Sequence, residues 1–80
     1  MKLSIFSLKK VLFQGNVESL NCKTVVGEIT VLDHHRPLIG VLTEGTMRIK
    51  DERNQEHYFP VKSGFFEVRA DNSVRALVDE

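Results

Sequence analysis

Eighty residues, 41% of them apolar and 28% charged, describe one domain, residues 1–80, near the lower size limit for a chain with its own core. Eleven basic residues balance eleven acidic ones, and no Lys/Arg cluster is longer than Lys9-Lys10, which disfavours nucleic acid and anionic lipid as partners. The single cysteine, Cys22, cannot form an internal disulfide and fits a reducing compartment.

The first seven residues, Met1 to Ser7, lack the long apolar core and small-residue cleavage pattern of a signal peptide. No apolar run approaches the ~20 residues that span a bilayer, so any membrane association is peripheral and through a partner. The segment from Ile5 to Leu12 is compatible with a helical turn, which Gly15 keeps from extending. Val17 then falls on the odd-numbered face, whereas Leu20, Cys22, Thr24 and Val26 share the even one. That slip of phase near Glu18-Ser19 predicts a β-bulge. Cys22, on the same face as Leu20 and Val26, reads as a small buried hydrophobe.

Gly27–Leu32 is a β-like run, followed by the polar loop Asp33-His34-His35-Arg36 and closed by Pro37. Leu38, Ile39, Val41 and Leu42 are apolar on both faces of the next strand. Two readings fit: a central strand covered on both sides, which the pattern itself favours, or a row that waits for a partner. Downstream, Met47 and Ile49 alternate with Thr46, Arg48 and Lys50, and Phe59 and Val61 with Tyr58 and Lys62. Phe66, Val68 and Ala70 alternate with Glu67 and Arg69, and Val74, Ala76 and Val78 with Arg75 and Asp79. A period of two marks strands with one buried face. Turn signals fall at Asp51–Glu56, Ser63-Gly64 and Ala70–Ser73, where Asp or Asn takes positive φ at low cost, and Gly15, Gly27, Gly40 and Gly45 punctuate the first half. No stretch of ten or more residues sustains a helical apolar stripe. The pattern predicts an all-β sandwich without repeats or linkers.

A search for reactive groups finds little. His34, His35, Glu28, Asp33 and Cys22 assemble into a metal site only if the loop curls, since adjacent side chains on a strand point to opposite faces. There is no CxxC, HExxH or glycine-rich phosphate loop. A Cys22–His nucleophile pair and a Glu44–Asp51 carboxylate pair both lack a supporting context. Phe65-Phe66 lacks the interleaved basic surface of a base-stacking site, and reads as one ring in the core and one on the opposite face. An outward Phe65 is then an exposed aromatic of the kind that anchors interfaces.

Five segments, in order, resemble the epsilon subunit of F-type ATP synthases. Val11–Leu20 is similar to the family's early phenylalanine-x-glycine-x-valine-glutamate segment. Gly27–Leu32 resembles its glycine-glutamate strand, and His35–Ile39 its histidine-x-proline-leucine turn. Gly45–Ile49 and Ser63–Val68 match two more. The loop departs from the family, which more often has proline and a small or amide residue before the histidine. The family's usual C-terminal pair of helices has no counterpart before Glu80, so their restraint of ATP hydrolysis and their ATP binding do not carry over.

The resemblance implies a flattened sandwich of short, mainly antiparallel strands in the rotor's central stalk: a non-catalytic piece, without cofactor, that links the gamma subunit to the membrane c-ring. It implies peripheral attachment through that complex, at the cytoplasmic face of a bacterial inner membrane. Glu28, Asp33, His34 and His35 are then expected to face the ring, and Ile39, Val41 and Thr43, with Phe65, the gamma subunit. The resemblance also favours the second reading of the two-faced strand. A free-standing ligand- or peptide-binding sandwich explains the composition equally well, but not the ordered segments.

Overall fold

The computed structural model describes residues 1–80 and contains eight strands and no helix. They are β1 (Lys2–Phe6), β2 (Val11–Thr24), β3 (Gly27–Leu32), β4 (Leu38–Leu42), β5 (Gly45–Asp51), β6 (Glu56–Val61), β7 (Ser63–Val68) and β8 (Ser73–Asp79). The hydrogen-bonded order is β1-β8-β7-β4-β2-β5-β6, with β3 added beside β2 and β1 returning to pair with β2. Every pairing is antiparallel except β1 with β8.

The 14-residue β2 joins the two layers of this sandwich. Its first half pairs with β1, and its second half lies between β3 and β5. Between the halves the register with β5 slips from Val17 to Ser19, the bulge expected from the phase change. An extra residue there sharpens the local twist and turns the strand from one layer into the other. The core fills the space between the layers with 16 buried side chains, among them Leu3, Ile5, Leu20, Met47, Ile49 and Phe66. Burying Phe66 alone is worth about 1.5–3 kcal/mol. Cys22 is 1% exposed, and burial pushes its thiol up to about 11, as suits a small core residue.

Three local expectations are corrected. Residues 5–12 form no helical turn: β1 runs through Ile5, and Ser7 then closes a tight turn by bonding its N–H to the Lys10 carbonyl at 2.9 Å. Gly15 and Gly40 lie inside β2 and β4 and end neither. Gly40 answers instead to a close approach, since a Cβ there would stand 2.2 Å from the Phe66 ring. Ala70 falls beyond β7 and is exposed rather than on its buried face. The turn before β8 does place Asn72 at φ 64°.

Candidate functional site

The four residues expected at the ring-facing end do not gather in one loop. Asp33, His34 and His35 sit at the end of β3, near the start of β1 and the β7–β8 turn. His34 takes φ 61°, and its N–H donates to Asn72 Oδ1 at 2.7 Å. The Asp33 carboxylate accepts from the Met1 amine and from Asn72 Nδ2, and these two bonds hold it below the usual carboxylate range. His35 bonds through Nδ1 to the Arg36 carbonyl at 2.7 Å. A carbonyl only accepts, so Nδ1 carries the proton, and Nε2 of the neutral ring is left as an acceptor.

Glu28 lies at the other end of β3, cross-strand from Lys23. Residues rise about 3.3 Å each along a strand, so the five steps from Glu28 to Asp33 set it roughly 16 Å from the loop. It lines a shallow hollow with Asn21, Thr46, Arg48 and Tyr58 on the outer face of the β3-β2-β5-β6 layer. There the Tyr58 hydroxyl donates to Glu56, which raises its pKa. No three His, Cys, Asp or Glu side chains gather as ligands for a metal ion.

On the opposite layer the apolar residues do converge. β4 sends Leu42 into the core and turns Ile39 and Val41 outward, 72% and 52% exposed. Register aligns Val41 with Phe65 of β7, Phe65 with Leu77 of β8, and Leu77 with Phe6 of β1. Directly opposed residues share a face, so these side chains form a row across four strands. Phe65 is half exposed. Thr43 follows β4, half-buried, with its N–H held by the Lys23 carbonyl, and so lies past the end of the row. Beside Ile39 and Val41, the β2–β3 turn adds exposed Val25 and Val26. These four, with Leu38 and Phe66, line an apolar groove of 180 Å³.

The outer row therefore decides between the two readings of β4: one face is core and the other is open. Sequence reasoning missed Leu77 and Phe6. Their signal was present, since each is an apolar residue at the polar phase of a strand whose alternate positions are buried.

The whole chain, residues 1–80, matches the family model described as ATP synthase, Delta/Epsilon chain, beta-sandwich domain. It is similar to the ATP synthase epsilon chain of Brevibacillus brevis, 32% identical over 71 residues, covering 89% of this chain and 54% of the relative. The epsilon chain of Chlorobium limicola is 30% identical over 78 residues, covering 98% of this chain and 89% of that one. Among solved structures, a chain of the Euglena gracilis mitochondrial ATP synthase (OSCP/F1/c-ring, rotational state 1) superposes with a TM-score of 0.92 at 22% identity. That likeness covers 98% of this chain and 49% of the other, and it speaks to the fold alone. This chain thus spans about half the length of the Brevibacillus relative.

Proposed function

We propose a function from the premise that this chain belongs to the ATP synthase delta/epsilon β-sandwich family: it is a non-catalytic part of the rotor's central stalk. The observation that supports this most is the outward apolar row of Ile39, Val41, Phe65, Leu77 and Phe6. Single exposed apolar residues are ordinary, but a contiguous row across four strands marks a docking surface. Its partner is the gamma subunit. The row forms the apolar centre of the interface, with Thr43 and the neighbouring charged residues at its rim.

Glu28 and the Asp33–His35 loop meet the polar loops of the c-ring from the two ends of β3. Their carboxylates and imidazoles accept and donate charge-assisted hydrogen bonds there. Torque crosses such a part without chemistry, so stiffness is what the fold must supply, and a close-packed two-layer core supplies it. The complex is membrane-associated and holds the chain peripherally; in a bacterium this is the cytoplasmic face of the inner membrane.

The test is co-elution of this chain with its cognate gamma subunit on size exclusion, repeated with Val41→Asp. A one-to-one complex that the folded variant loses is the expected result. No complex between folded partners would instead leave a free-standing binding module.

A further inference from the structure

The layer that carries the apolar row also carries a polar cavity, nearer the Met1 end of β1. Its volume is 270 Å³, and Lys2, Ser4, Gln14, Arg69, Ser73 and Arg75 face it. The register explains why they meet. Ser4 of β1 stands between Gln14 of β2 and Arg75 of β8, and Lys2 stands beside Ser73. All are outward positions of three neighbouring strands, and Arg69 enters from just beyond β7.

Two independent observations point to a ligand. The first is the Ser4 side chain: the residue is only 9% exposed, yet its hydroxyl has no hydrogen-bond partner within the chain. No polar atom fully shut off from solvent lacks a partner, so this hydroxyl opens into the cavity. Opening there with no partner in the chain, the hydroxyl is free to donate to a bound acceptor. The second is charge. Lys2, Arg69 and Arg75 form no ion pair within 4.0 Å, and one carboxylate, Asp71, shares the cavity with them. Asp71 accepts from both the N–H and the hydroxyl of Ser73 and also feels the charge of Arg69, which leaves Lys2 and Arg75 as the cations it does not offset. Glu67 stands opposite Arg75 and shares the adjoining hollow with it, but the two form no ion pair within 4.0 Å.

From this arrangement we infer that the cavity is a binding site for inorganic phosphate, with Arg75 as its main anchor and Ser4 as the donor at its floor. A guanidinium fork matches two phosphate oxygens, while Lys2 adds a point charge and Gln14 and Ser4 add neutral donors. The inference is independent of the rotor reading, because it concerns the isolated chain.

The test is a titration of the 80-residue chain with sodium phosphate at constant ionic strength, followed by amide NMR shifts, with sodium chloride as the control. Saturable shifts at Ser4, Ser73 and Arg75 with phosphate alone are expected. Arg75→Gln should raise the dissociation constant at least about tenfold, the loss expected for one charge-assisted pair. Lys2→Gln, on a different strand, gives a second reading should Arg75→Gln fold poorly. Linear shifts that chloride reproduces, or saturable binding that survives both substitutions, would overturn the site.

Discussion

Gly40→Ala is the substitution whose cost follows most directly from the packing. A Cβ at residue 40 would lie 2.2 Å from Phe66 Cε1, 2.5 Å from Cζ and 3.2 Å from Cδ1. Phe66 is fully buried, so its ring cannot shift without disturbing the core packed around it. Without that ring, alanine in a strand interior would gain about 0.5–1 kcal/mol over glycine. Overpacking a core costs about 1–3 kcal/mol, and so short a contact belongs in the upper half of that range, so the net result is a loss of about 1–2 kcal/mol. In a domain of this size each kcal/mol lowers the melting temperature by about 4–8 °C, which sets the expected fall at about 5–15 °C. Phe66→Leu destabilises in its own right, but leucine has no atoms at the Cε1 and Cζ positions. The double variant should therefore be more stable than the sum of the two losses, by at least about 1 kcal/mol. Thermal and urea denaturation followed by circular dichroism measures all four corners of the cycle. A Gly40→Ala protein that melts at or above the parent, or two losses that simply add, would refute the reasoning.

Asp51 accepts from the N–H groups of Arg53 and Gln55 and from His57, each at 2.9 Å. The His57 bond is the largest cause of its lowered pKa. Its contribution to stability is thus complete above the ordinary carboxylate value near ~4 and lost as pH falls through the lower folded value. Asp51→Asn should flatten the fall of melting temperature below about pH 4, and an unchanged slope counts against the clamp. Glu28→Ala with His35→Ala should weaken rotor assembly while leaving thermal stability within about 0.5 kcal/mol, as surface sites outside the core allow. Because the two residues lie at opposite ends of β3, their effects on assembly should combine independently. Normal coupling in membranes carrying the double variant would speak against the ring-facing assignment.

The strands most visible in the sequence are those whose partners are sequence neighbours. β5 and β6 form a hairpin, as do β7 and β8, and their alternation is clean because one face meets core and the other water. The bulge in β2 was legible for the same reason, since a slipped phase leaves its mark on every later side chain. β1 was not. Ile5, Leu8 and Leu12 fall near helical spacing, and what makes Lys2–Phe6 a strand is its place between β2 and the distant β8. Gly40 was misread as punctuation because a side chain 26 residues away sets its role. The candidate site divides along the same line. Ile39, Val41 and Phe65 stood out, but grouping Glu28 with His35 treated sequence proximity as spatial proximity, and a strand holds such residues apart.

The mode of docking follows from where the hydrogen bonds close. The path β1-β8-β7-β4-β2 returns to β1, so each strand carrying the apolar row has a partner on both sides, although β4 meets β2 only at its Val41-Leu42 end. Over most of that layer no edge is open to a further strand, so a partner packs face-on against side chains, and the row offers it aliphatic and aromatic residues. The free edges lie elsewhere, at β3 and β6. β6 carries Pro60, which has no N–H to offer a further strand, and it is flanked by a charged turn. Edge pairing would lock the chain to whatever backbone it met, whereas a rigid apolar face selects by shape. On the rotor function proposed above, the second arrangement places the load on packed side chains backed by the strands beneath them. Val41→Asp therefore attacks the proposed interface without touching the ladder beneath it.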